Sequence, residues 1–117
     1  MKLSEDKVPI SLDEAIHFLK ESITKSELKA IKSPTFSNRG FHFTLGMYLR
    51  NAWSLWEKDT ILVKWFKKTY GVDFADDISE IIMDTFFRDM RGEPRQDKKL
   101  AEQYIEHWND ILDNSGA

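Results

Sequence analysis

The segment FHFTLGMYLRNAWSLW, residues 41–56, constrains the fold more than any other stretch of this chain. At its start, apolar residues alternate with other residues, as they do in a half-buried strand. Over its whole length, however, apolar residues recur every three or four positions, as on one face of an α-helix. These residues are Phe41, Leu45, Tyr48, Leu49, Ala52, Trp53 and Trp56. Because the segment is longer than a usual strand, we predict a buried central helix over residues 41–56.

The N-terminal part of the chain carries start signals for two further helices. Ser11 followed by Glu14 forms a capping-box pattern, which satisfies backbone N–H groups at the beginning of a helix. Thr24 or Ser26 is predicted to begin a short second helix by the same capping chemistry. Residues 32–40 contain a proline and a glycine and are predicted to form a loop.

The C-terminal half shows the same pattern of caps and stops. Asp59 is predicted to cap a helix that ends at Gly71, because glycine readily adopts the left-handed conformation of a helix C-terminus. Asp76 or Asp77 is predicted to cap the next helix, which ends at Gly92. A last helix is predicted to begin near Asp97, and no segment predicts a strand.

These elements predict an all-α fold, a compact single-domain bundle of about five to six helices. The 117 residues suit one domain, which we place over residues 1–117. Residues 1–10 are expected to form a leader and residues 114–117 a frayed tail. Short loops imply that consecutive helices are neighbours in space.

Composition argues against several classes of function. The net charge of −3 gives no general attraction for nucleic acid, and there is no cysteine to bind a metal or act as a nucleophile. The histidines are too far apart in sequence to suggest a metal site, so we expect no metal and no cofactor. No apolar run reaches the roughly 20 residues of a membrane span. We therefore expect a cytoplasmic protein without a catalytic motif.

Arg50 and Asn51 are the unusual polar residues of the predicted central helix. A buried guanidinium costs several kcal/mol unless it is paired and hydrogen-bonded. One interpretation makes Arg50 an anchor for a carboxylate or phosphate ligand, with His42 two turns earlier on the same side. The other pairs Arg50 with an internal acid such as Asp84 or Glu80, which makes it part of the architecture. We favour the second.

Two further features are candidates for binding. Asp76 and Asp77 belong to an acidic cluster that capping explains, although the same cluster could contact a basic partner. Trp56 is the tryptophan that we expect at the surface, because it stands at the end of the predicted helix beside two charged residues. Tryptophan is enriched among the residues that dominate protein interfaces.

Two segments, FHFTLGMYLRNAWSLW and DDISEIIMDTFFRDMRGEP, resemble a family of small bacterial proteins classed as a domain of unknown function. The matching pattern is FHFxLGxxxRNxWxLW, followed by residues 78–92, and the resemblance extends over about residues 12–108. It implies an all-helical bacterial cytoplasmic protein. It implies no activity, cofactor or catalytic residue, although some members look like accessory or immunity-type genes.

The leading hypothesis for function is a non-enzymatic module that binds another protein, in an immunity- or adaptor-like role. Its size, its acidic balance and its aromatic content of 13% motivate this hypothesis. The alternative is a small-molecule or enzymatic site around His42, Arg50 and Asn51. A membrane partner is not expected, nucleic acid ranks below protein, and a homo-oligomer is left open.

Overall fold

A computed structural model describes residues 1–4, 6–33 and 38–115, with the backbone alone for residues 38–42 and 114–115. Over these residues the fold is all-α, as predicted, and contains six helices. They are α1 (Leu12–Ser22), α2 (Lys25–Lys32), α3 (Asn38–Ala52), α4 (Ile61–Tyr70), α5 (Ala75–Arg91) and α6 (Asp97–Ser115). None of the described helices is both long and apolar enough to cross a membrane.

The central helix of the bundle is α5, which packs against α1, α2, α3 and α6. Its apolar residues are buried almost around its circumference; they include Ile78, Ile81, Ile82, Met83, Phe86 and Phe87. The prediction that residues 41–56 form the central helix is wrong in this respect. One face of α3 packs on α5, while Phe43, Met47 and Asn51 on another face are exposed. Apolar composition alone did not distinguish a helix packed on one side from a helix enclosed by several neighbours.

The helix α3 also ends earlier than predicted, at Ala52. Ser54 adopts the left-handed conformation, with φ at 49°, and the backbone N–H of Leu55 donates to the carbonyl oxygen of Arg50 at 3.0 Å. This is the hydrogen bond of a Schellman motif, with a serine in the position that glycine usually takes. The chain therefore turns after Trp53, and both Trp53 and Leu55 enter the core from the turn.

The predicted N-caps of the first two helices are confirmed. The side chain of Ser11 accepts a hydrogen bond from the backbone N–H of Glu14. Thr24, rather than Ser26, caps α2, and Thr24 and Glu27 form a complete capping box.

The predicted cap of α4 is wrong by one residue and that of α5 by two or three residues. Thr60, not Asp59, caps α4 and accepts from the backbone N–H of Val63 at 3.3 Å. The N-cap of α5 is Phe74, which makes no side-chain cap, while Asp76 and Asp77 lie within the first turn. Their charges still suit that position, because carboxylates stabilise the positive end of the helix dipole.

Both ends of the described chain are connected to the helical bundle. Leu3, in the expected leader, is buried, and its backbone N–H donates to the hydroxyl of Tyr48. The helix α6 continues to Ser115. Residues 116–117 and residues 34–37 of the predicted 32–40 loop lie outside the described part. At its two ends the loop prediction is wrong, because α2 includes Lys32 and α3 begins at Asn38.

Candidate functional site

Arg50 is held by residues of this chain at the crossing of α3 and α5. Its Nη1 lies 3.1 Å from Oγ of Ser79, to which it donates, and 3.4 Å from Oδ1 of Asp76. Its Cζ also lies 5.7 Å from the centre of the Trp56 ring, at the distance of a cation–π contact. The expectation of an internal counter-ion is therefore met.

The identity of that counter-ion differs from the prediction. Asp84 pairs with Arg88 one turn further along α5, and Glu80 accepts a hydrogen bond from the hydroxyl of Tyr104. The C-terminal end of α3 lies beside the N-terminal part of α5, so the guanidinium contacts Asp76 and Ser79. Sequence spacing on α5 could not fix this register, because it depends on how the two helices cross.

Gly46 makes room for the guanidinium. A Cβ added at Gly46 would lie 3.1 Å from Nη1 of Arg50 and 3.2 Å from Cε of Met83. These distances are shorter than ordinary van der Waals contacts, so any larger residue would displace one of the two side chains. The glycine inside this helix is thus explained by close packing between α3 and α5.

The other residues predicted to belong to this site lie in different positions relative to Arg50. Trp56 is 58% exposed, which confirms the prediction of a surface tryptophan. Asn51 is exposed, one position along the helix from Arg50. The side chain of His42 lies outside the described residues. The structure therefore brings together Arg50, Trp56 and Asp76, and does not join Asn51 to them.

Asp77 belongs to a different surface from its neighbour Asp76. Oδ2 of Asp77 accepts a hydrogen bond of 2.9 Å from Nε1 of Trp108 on α6. The Trp108 ring also meets the Phe74 ring edge-on, with 5.2 Å between ring centres. Trp108 was not among the residues predicted from the sequence to bind a partner. Its indole N–H, which needs a polar partner near the surface, was the sequence signal that could have identified it.

A groove of about 410 Å³ opens beside this contact, between the α4–α5 connection and α6. We call it the Trp108 groove and define it by its lining residues: Gly71, Val72, Asp73, Phe74, Asp77, Tyr104, Ile105, Trp108 and Asn109. Most of these side chains are apolar or aromatic, and two are carboxylates. Such a mixture is typical of binding sites, where apolar surface gives affinity and a few polar groups give orientation.

The two carboxylates of the Trp108 groove differ in their charge balance. Asp73 lies 3.4 Å from Nζ of Lys58 and 3.8 Å from Nζ of Lys67, so its charge is compensated. Asp77 forms no ion pair with any described residue, and its one hydrogen bond comes from the neutral indole of Trp108. Burial raises the pKa of Asp77, and the charge of Asp76 adds to this, against the hydrogen bond from Trp108.

Among the described residues, the groove contains no cluster of side chains that could bind a metal ion. Tyr104 donates to Oε2 of Glu80 at 3.3 Å, and burial together with the Glu80 charge raises the pKa of its phenol. Tyr104 is therefore a neutral hydrogen-bond donor at physiological pH.

Comparison with known proteins assigns the chain to a family. No curated protein and no solved structure matches it. A family profile described as "Domain of unknown function (DUF6794)" matches residues 8–90. The match covers α1 to α4 and all of α5 except its last residue, whereas α6, with Trp108, lies beyond it. Because the match spans well over half of the 117 residues, the chain belongs to the DUF6794 family.

Proposed function

We propose that this protein is a non-enzymatic interaction module that binds another protein through the Trp108 groove. The observation that carries the proposal is the composition of the groove. It combines aromatic side chains with one carboxylate, Asp77, whose charge no described residue neutralises. A protein partner supplies both apolar side chains and positive charge, which makes the groove complementary to a segment of that kind.

The apolar surface continues from the groove along the exposed end of α6. Ile111 and Leu112 follow Trp108 at helical spacing and are 41% and 65% exposed. From Glu106 to Asp113 every side chain is exposed, so this end of the helix is covered little by the bundle. An apolar helix face that continues beyond the bundle supports an interface longer than a small-molecule pocket.

An immunity- or adaptor-like role is the concrete form of this proposal. In such a role the protein acts by covering or joining a surface of its partner. A groove with an acidic group and a net charge of −3 suits a partner with a basic binding segment. Opposite charges on two surfaces speed association and exclude partners of the wrong charge.

Quantitative affinity capture from the native host tests the proposal. The wild-type chain is compared with Trp108→Ala and with the control Trp56→Ala, which removes an exposed tryptophan from the other side of the α5 N-terminus. We expect one protein at a stoichiometric level with the wild type and the control, and at least tenfold less with Trp108→Ala. Capture of no stoichiometric protein at native abundance, or equal capture by all three chains, would contradict the proposal.

A further inference from the structure

We infer that the Trp108 groove recognises a lysine side chain of the partner, with its ammonium group on Asp77. This inference rests on the proposed function, because it names the group of the partner that enters the groove. It follows from the charge, shape and remaining hydrogen-bonding capacity of the groove.

The groove carries a negative charge at Asp77, which a cation of the partner would balance. A partner that covered Asp77 with apolar atoms would bury a carboxylate without a counter-ion, which is strongly unfavourable. Lys58 and Lys67 do not supply this counter-ion, because both form ion pairs with Asp73. His107 stands next to Trp108 with its ring 5.7 Å from the indole and is exposed. Its charge lowers the pKa of Asp77 slightly, but it forms no ion pair with the carboxylate.

The shape of the groove favours a cation with an apolar stem. Val72, Phe74, Ile105 and Trp108 contribute apolar or aromatic surface beside the carboxylate. The four methylene groups of lysine can lie along such surface while the ammonium group stays at a polar group.

The hydrogen bonds of Asp77 distinguish lysine from arginine. Arginine binds a carboxylate best through two parallel hydrogen bonds, one to each oxygen. In this groove Oδ2 already accepts from the indole of Trp108, whereas Oδ1 accepts from no described residue. The ammonium group of lysine is a point charge that needs only one oxygen. The geometry therefore favours lysine over a forked guanidinium.

Titration with three short peptides tests the inference. The probes are acetyl-Leu-Lys-Leu-amide, its arginine analogue and its norleucine analogue, which keeps the apolar stem without the charge. Binding is followed by the NMR signal of the Trp108 indole N–H. We expect the lysine peptide to bind about tenfold more tightly than the norleucine peptide and more tightly than the arginine peptide.

Two variants locate the effect. Asp77→Asn keeps an acceptor for Trp108 but removes the charge, and should reduce the lysine preference to less than twofold. Asp110→Asn removes an exposed carboxylate of α6 outside the groove and should leave the preference unchanged. If Asp77→Asn does not fold, the three peptides on the wild-type chain decide alone.

Equal binding of the lysine and norleucine peptides, or tighter binding of the arginine peptide, overturns the inference. These outcomes differ from failure of the proposed function. If Trp108→Ala abolishes the capture of a partner but the peptides show no lysine preference, the proposed interaction module is retained and only the inference of a lysine is rejected. If the peptides show a lysine preference but no protein is captured, the cation site is supported and the proposed interaction module is rejected.

Discussion

Nη1 of Arg50 lies 3.4 Å from Oδ1 of Asp76, and the Asp76 side chain is 55% exposed, while that of Arg50 is only 15% exposed. The pair therefore joins a nearly buried cation to an anion that stays in contact with water. Arg50 also donates to the buried Ser79 hydroxyl, which itself donates to the carbonyl oxygen of Asp76. The guanidinium thus connects α3 to the first turn of α5, and this connection leads to the first two predictions.

Replacing Arg50 by alanine should lower the free energy of unfolding by about 1–3 kcal/mol. Leaving a fully buried charge without its partner would cost roughly 3–5 kcal/mol. Here the loss is smaller, because water can solvate Asp76 and Ser79 keeps its hydrogen bond to a carbonyl oxygen. Urea unfolding measures the loss, and Asn51→Ala, on an exposed neighbour, should stay within about 0.5 kcal/mol of the wild type. Unchanged stability with loss of a bound small molecule would favour the alternative site around His42, Arg50 and Asn51.

Replacing Gly46 by alanine should destabilise the protein by about 1 kcal/mol, although alanine is the better helix former. The new methyl group would press on Arg50 and on Met83, which are held by hydrogen bonds and by the core respectively. In an Arg50→Ala background the loss should shrink, because one of the two contacts is gone. A double-mutant cycle measures this coupling, and a stabilising effect of Gly46→Ala in the wild type would refute the explanation.

The N-cap of α4 gives a prediction that separates two adjacent residues. Thr60→Ala should cost about 1 kcal/mol, because the backbone N–H of Val63 loses its acceptor. Asp59→Ala should change stability by no more than about 0.5 kcal/mol, since Asp59 is exposed and precedes the cap. Thermal melts of the two variants decide between the residues, and the reverse order of effects would restore Asp59 as the cap.

Asp77→Asn should change the dependence of stability on pH. The folded-state pKa of Asp77 is raised above its ordinary value of 3.8, so the proton is bound more tightly in the folded than in the unfolded chain. The wild type therefore loses stability as the pH rises from below 3.8 through the raised folded pKa. Asparagine does not titrate, so the variant should become more stable relative to the wild type as the pH rises over that range.

Denaturant unfolding at several pH values measures the difference between the two chains. Taking the difference cancels the contributions of the other carboxylates to the pH dependence. These include Asp89, whose pKa the Arg95 guanidinium lowers. The neighbours that act on Asp77 itself, Asp76 and His107, are present in both chains. A difference that stays constant with pH, or that favours the wild type as the pH rises, would show that burial does not raise the pKa of Asp77.

Local signals in the sequence located most of the helices. The caps at Ser11 and Thr24 and the stops at Gly71 and Gly92 depend on hydrogen bonds within a few residues, and all four are present. The end of α3 was missed because Ser54 takes a conformation for which serine gives only a weak signal. Asp59 was predicted in place of Thr60, since aspartate and threonine are both good caps and the two positions are adjacent.

The candidate site was only partly visible in the sequence. Asp76 and Asp77 were chosen as one acidic pair, yet they point to different neighbours, Arg50 on α3 and Trp108 on α6. Adjacent helical residues are separated by about 100° around the axis, so the direction of each was predictable, but not what it meets. Trp108 was absent from the predicted contact residues for the same reason.

The sequence by itself determined that this chain is all-α, where several of the helices begin or end, and that Arg50 needs a partner within the protein. Those properties follow from hydrogen bonds and apolar periodicity over one or two turns of chain. Only the tertiary structure decided that α5 is the central helix, that Asp76 is the partner of Arg50, and that Asp77 and Trp108 border a common groove. These depend on how helices distant in sequence cross, and the crossing is set by the packing of all the side chains between them.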